Sequence, residues 1–267
     1  MLLVPLVSAQ TPTSSASAPG YAGNAPLGYP PAKGHLQPSS AAGYEGETAS
    51  GFITVVTANL VIPAVTCRPG LPGPQDLQIG LPTFSTVPPR YDFVVLYTDI
   101  YCAQGSSTPS YSAHFEICFP VCWMYNMPLS YSSGDSMAFT LAVNRTESTG
   151  NVTASLVNLN SRTGVSKSYA LVGGEYLDNP GWEVVGYQCD CLSCMPWTDW
   201  SCVVALAKFS PITFTKATFT TTGGPMPITD LSPLNRLIMV DNTGWEIAKT
   251  SPLIGGKSFT VTFSEAT

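Results

Sequence analysis

The chain has 267 residues, of which 44% are hydrophobic and only 10% charged, and its formal net charge is −6. That length holds one large β domain or two small ones with a full core. The acidic balance leaves no basic patch for a phosphate backbone, and no apolar run is long enough to span a bilayer, so neither a nucleic-acid partner nor a membrane span is expected.

In chain order, residues 1–9 carry the apolar run 2–7 followed by Ser8 and Ala9. This reads as the end of a truncated signal peptide, cleaved after Ala9, without the usual basic start. Residues 10–40 hold Pro12, Pro19, Pro26, Pro30, Pro31 and Pro38 among Ser, Ala and Gly. With no hydrophobic period they predict a disordered leader. The folded domain is expected over residues 41–267. From Phe52 onward short β-branched and aromatic runs alternate with turn residues, predicting strands at 52–62, 91–103, 111–118, 137–143 and 152–158. Further strands are expected at 166–171, 182–187, 212–219, 237–240 and 258–263. No window carries a helical stripe, so the class is all-β, a sandwich or a barrel.

Eight cysteines, Cys67, Cys102, Cys118, Cys122, Cys189, Cys191, Cys194 and Cys202, allow two readings. In an oxidising compartment they form up to four disulfides, in one of about 105 pairings. In the cytosol Cys189, Cys191, Cys194 and Cys202 could hold zinc. Their C-x-C-x-x-C spacing is tighter than a paired knuckle and no second knuckle follows. Disulfides, with no metal and no other cofactor, are therefore the expectation, and with them a secreted, monomeric protein. Asn144 and Asn151 head glycosylation sequons.

The stretch Tyr111-Ser-Ala-His-Phe-Glu116-Ile-Cys-Phe-Pro120 resembles the Tyr-x-Ala-Trp-Tyr-Glu-Trp-Tyr-Pro strand of the glutamic peptidases, or eqolisins. Ser133-Gly134-Asp135 is similar to that family's turn into its next strand, and Val157-Asn158-Leu159 with Thr163-Gly164 to its Asn-Leu-x-x-Gly hairpin. The run from Phe52 to Pro63 resembles its first long strand, the run from Phe209 to Ala217 a later one, and Ser258 to Phe263 its last. These matches keep their order over nearly all of 41–267. The resemblance implies a concanavalin-like β-sandwich of two antiparallel sheets with a groove on the concave face. It also implies an acid endopeptidase in which a glutamate activates water and a glutamine amide steadies the tetrahedral intermediate.

That chemistry needs a carboxylate to take the water's proton and a preorganised donor at the oxyanion. Carried over without gaps, the glutamine position falls on Tyr97 and the glutamate position on Val185. The family's early Asn-Trp pair falls on Ser40-Ala41. Two stand-ins remain: Glu183, two residues from Val185 and so on the same strand face, and Gln104, were the hairpin before Tyr111 shorter. Gln78, in Leu-Gln-Ile-Gly, imitates the family's Leu-Gln-Thr-Gly but sits too early, leaving no room for the preceding strand.

By the same resemblance the groove is lined by Tyr97, Asp99, His114 and Glu116. Any Ser-His-Asp set in the domain would have to use His114, near Ser112, and Asp99, Glu116 and Glu183 could supply two-carboxylate glycoside chemistry. The loops holding Cys118/Cys122 and Cys189–Cys202 flank the groove in the family, so a disulfide joining them would cap its entrance; local pairing is the alternative. The expectation is a secreted family member, proteolytically inactive or impaired, binding polypeptide or glycan in the groove. An active acid endopeptidase with displaced catalytic residues and a structural surface or wall protein are the alternatives.

Overall fold

The computed structural model describes residues 36–39, 41–48, 52–71, 73–85, 93–119, 121–145, 149–172, 177–186, 205–240 and 246–264. Their strands are β1 (Leu36–Ser39), β2 (Ala41–Thr48), β3 (Ile53–Val61), β4 (Val65–Thr66), β5 (Gln75–Phe84), β6 (Phe93–Cys102), β7 (Ser110–Phe119), β8 (Val121–Asn126), β9 (Ser136–Arg145) and β10 (Thr149–Asn158). They continue with β11 (Thr163–Val172), β12 (Asn179–Val185), β13 (Ala205–Leu206), β14 (Lys208–Phe209), β15 (Ile212–Thr221), β16 (Gly224–Pro227), β17 (Leu231–Val240), β18 (Glu246–Thr250) and β19 (Phe259–Phe263).

The first sheet runs β8-β7-β6-β5-β12-β2-β17, antiparallel throughout, with β1 added parallel to β17 at its edge. The second is the antiparallel set β11-β10-β9-β3-β15-β16. Strand β15 serves both: residues 212–214 pair with β19 of the first sheet, and residues 215–221 with β3 of the second. It turns the corner at a bulge between Thr215 and Thr218, where Lys216 takes φ 52°. An unpaired extra residue bends a strand sharply, and this one folds the ladder into a sandwich.

Alternation sends one face of each strand inward. In β5, Leu77, Ile79 and Leu81 are fully buried, as are Leu96 and Ile100 in β6 and Phe115 and Ile117 in β7. Opposite them stand Val56, Phe139, Leu141, Leu156 and Phe219 of the second sheet, in the same core. Each large side chain removed from water contributes about 1.5–3 kcal/mol. Trp182 of β12 fills the centre at 0% exposure, and its Nε1–H donates to the Thr57 carbonyl across the sandwich at 2.9 Å. Sandwich and antiparallel sheets agree with the sequence reading.

Three differences matter. Residues 36–39, read as leader, form β1 of the first sheet, so the sheet begins upstream of residue 41. The sequence pattern does not predict strands β2, β5 and β8: β2 is Ala- and Gly-rich, β5 contains Gly80 and Pro82, and β8 follows Pro120. Such residues read as breakers, yet here the neighbouring strands impose the extended form. Cys118 and Cys122 bond to each other across the β7–β8 hairpin, so they do not join a second loop as the capping idea required. Cys67 bonds to Cys102, tying the segment after β3 to the end of β6. Cys189, Cys191, Cys194 and Cys202 lie outside the described residues. The sequon residues Asn144 and Asn151 face each other as cross-strand partners of β9 and β10.

Candidate functional site

The alternation that buries Leu77, Ile79 and Leu81 turns Asp76, Gln78 and Gly80 to the outer face of the first sheet. There the register sets two rows across the strands. One runs Ser112, Asp99, Gln78, Val185 and Ala41; the next runs His114, Tyr97, Gly80, Glu183 and Gly43. Neighbours in a row have Cβ atoms about 4.5–5.5 Å apart. The structure thus brings Tyr97, Asp99, His114 and Glu183 together on one face, with Glu116 one pleat beyond His114. Strand β5 lies between the strands of Tyr97 and Val185, so Gln78 occupies the middle strand of the three. Gln104 goes elsewhere: it is exposed in the turn closed by the Ser106 N–H on the Ala103 carbonyl. It stands past the end of β6, whose five residues from Tyr97 to Cys102 alone rise about 17 Å.

Gly80 makes the second row as tight as it is. A methyl there would come within 2.5 Å of the Leu96 carbonyl oxygen and 2.7 Å of Tyr97 Cβ. Glu183 is 3% exposed and Tyr97 8% exposed. The Tyr97 ring packs against His114 with centroids 5.5 Å apart, and its hydroxyl donates to Met124 Sδ at 3.4 Å.

Glu183 leans over Gly181, whose added Cβ would lie 2.9 Å from Glu183 Oε1. Gly181 is the cross-strand partner of Glu45, so two carboxyls meet on the same patch. Burial, and then the neighbouring Glu45 charge, push the Glu183 carboxyl well above the usual range. Glu45 is raised as well, by burial first and then by Glu47, against a hydrogen bond from Asn235 Nδ2 at 3.4 Å. Under acid conditions Glu183 is therefore a neutral acid that can donate a hydrogen bond but cannot take a proton.

A second carboxyl pair joins β5 to β6. Asp76 is 3% exposed, and burial, then the hydrogen bond and charge of Asp99, push its carboxyl up to about 9, although the Leu77 N–H donates to its Oδ1 at 2.8 Å. Asp99 Oδ1 is shielded from solvent with no donor on it, and the two carboxyls of the pair are hydrogen-bonded to each other. The other Asp99 oxygen accepts from Ser112 Oγ at 3.5 Å.

Ser112 Oγ and His114 Nε2 are also 3.1 Å apart. With the serine proton on Asp99, the imidazole must donate to Ser112. The serine therefore sits between imidazole and carboxylate, the wrong order for a nucleophile whose proton is to leave through the histidine. Burial lowers the His114 pKa, partly offset by the Asp99 charge. Glu116 lies four residues along β7 from Ser112, about 13 Å by strand rise, so it does not pair with Asp99 at the closer spacing that two-carboxylate glycoside chemistry uses. Glu116 also lies near Cys118 and Cys122 in a cluster of ligand atoms within 4.8 Å, but the disulfide leaves no thiolate to bind a metal.

No signal in the sequence linked Asp76 to Asp99 or Glu45 to Glu183. Each pair is separated by 23 or more positions and meets only through the order β6-β5-β12-β2. No helix among the described residues is long and apolar enough to cross a membrane.

The fold is similar to that of scytalido-glutamic peptidase, solved with a peptide-based transition state analogue, at TM-score 0.62 and 18% identity over 84% of this chain and 98% of that one. It is also similar to SCP-B, an eqolisin solved with the tripeptide Ala-Ile-His, at TM-score 0.59 and 17% identity over 84% of this chain and 98% of that one. No curated protein sequence matches. The sequence pattern of the Peptidase A4 family matches residues 39–263, from the first sheet's edge strand through β19. The chain therefore belongs to the peptidase A4 family, the glutamic peptidases.

Proposed function

We propose that this chain is a secreted member of the family that holds polypeptide on the outer face of its first sheet and in which glutamic-type proteolysis is impaired. The observation that carries the reading is the state of the carboxylates. The residue-by-residue carry-over puts Val185 and Tyr97 on the two catalytic positions, and a valine side chain cannot take a proton. The nearest stand-in, Glu183, is 3% exposed and held neutral by burial, so it does not supply the base either. Disulfides support an oxidising compartment. A run of hydrogen-bonding groups on one face, Ser112, Asp99, Gln78 and His114, supports retention of a polypeptide strand laid across it.

The test is a purified-protein assay on denatured casein between about pH 2 and 5, with peptide binding measured alongside. Binding should be retained, while cleavage should run about 10²–10⁴-fold below a fully equipped general-base enzyme. Vigorous cleavage abolished by Glu183→Ala would overturn the reading. Binding of glycans but of no peptide would overturn its polypeptide part.

A further inference from the structure

The two rows on the first sheet differ in access. Tyr97 and Glu183 are closed off at 8% and 3% exposure, whereas Ser112, Asp99, Gln78 and Val185 of the other row are each partly open. On that open row a carboxylate and a primary amide stand directly opposite each other, because Asp99 and Gln78 are cross-strand partners of β6 and β5. Gln78 is also the direct partner of Val185, and Asp99 is one pleat from Tyr97 on the same face. We infer that Asp99 and Gln78 form a hydrolytic pair of their own, with Asp99 as general base and the Gln78 amide as oxyanion donor for slow cleavage of a polypeptide under acid conditions. This rests on the reading that the face takes polypeptide.

The chemistry balances without any further reagent than water. Asp99 accepts a proton from a water whose oxygen attacks the scissile carbonyl carbon, and the carbonyl oxygen becomes an oxyanion that takes a hydrogen bond from Gln78 Nε2–H. Asp99 then passes that proton to the departing nitrogen as the C–N bond breaks, leaving one new carboxyl group and one new amine. The surroundings suit these roles. The Asp76 carboxyl hydrogen-bonds the Asp99 carboxyl and Ser112 Oγ donates to Asp99 Oδ2 at 3.5 Å, so the Asp99 side chain is held from both neighbouring strands. Asp76 is thereby a positioning residue. Facing Asp99 from the neighbouring strands are Asp76 and Gln78 on β5 and Ser112 and His114 on β7. The Tyr131 hydroxyl donates to the Ser112 carbonyl beside them.

The experiment measures single-turnover release of new amino termini from a denatured polypeptide at about pH 3–5, using the full-length protein, Asp99→Asn and Gln78→Leu. Melting curves establish that each variant is folded, and peptide binding is measured separately. The native protein is expected to release termini above the blank, Asp99→Asn to lose about 10²–10⁴-fold, and Gln78→Leu about 10²–10³-fold. Asp76→Leu should lower the release rate while Asp76→Asn, which keeps a donor toward Asp99, restores it; equal rates for the two variants remove Asp76 from the arrangement. The inference is overturned if either Asp99→Asn or Gln78→Leu keeps the native rate. It is equally overturned if the native protein binds the polypeptide yet releases nothing. Failure to bind at all overturns the polypeptide reading together with this one.

Discussion

Asp76→Asn should make the fold less sensitive to pH, and the size of the effect follows from where the carboxyl lies. Asp76 is 3% exposed, and burial, reinforced by Asp99, raises its pKa to about 9 from the ordinary 3.8. Below the unfolded value both folded and unfolded chains hold the proton, and the group has no effect on stability. Between the two values the unfolded chain releases the proton while the folded chain keeps it. Stability is therefore lost as pH rises, by about 1.4 kcal/mol per unit. At about pH 7, some three units above the unfolded value, the cost is about 4 kcal/mol. An asparagine keeps the shape, can accept from the Leu77 N–H and can donate to Asp99, yet has no proton to lose. Urea denaturation at about pH 3 and about pH 7 should show the variant close to the native protein in acid and about 4 kcal/mol more stable at neutrality. A difference of the same size at both pH values would refute the assignment of a buried neutral acid.

The same sign applies to Glu183→Gln, which should raise the melting temperature at neutral pH relative to acid, with Glu45→Gln giving a smaller further gain because each substitution relieves the other carboxyl. Gly80→Ala drives a methyl to 2.5 Å from the Leu96 carbonyl oxygen and should cost about 1–3 kcal/mol in denaturant titrations. Removing the Cys67–Cys102 bridge, which spans 35 positions, should cost about 4 kcal/mol. Removing Cys118–Cys122, which spans 4, should cost about half of that. Equal losses from the two bridges would show that loop closure is not what they contribute.

Where local pattern and tertiary demand coincide, the strands were readable. The alternation of Ile212, Phe214 and their threonines, or of Phe259, Val261 and Phe263, puts one face in the core wherever the strand sits in the sheet. Strands β2 and β5 were not readable, because Gly43, Gly80 and Pro82 are poor strand formers held extended by partners far away in the chain. The disulfide partners were open for a similar reason: spacing limits pairings without choosing among them.

The chain by itself determined the class of the protein and its family. Alternating apolar residues with turn signals leave few ways to bury a core, and a set of strand motifs in fixed order survives heavy substitution. Only the tertiary structure decided which carboxyls meet. Asp76 finds Asp99 through the β5–β6 pairing, and Glu45 finds Glu183 through β2–β12. It also decided that Gln78 faces Asp99 on an accessible row while Glu183 is closed off. Strand order and register fix those distances, and both are settled by long-range packing that no local stretch of sequence encodes.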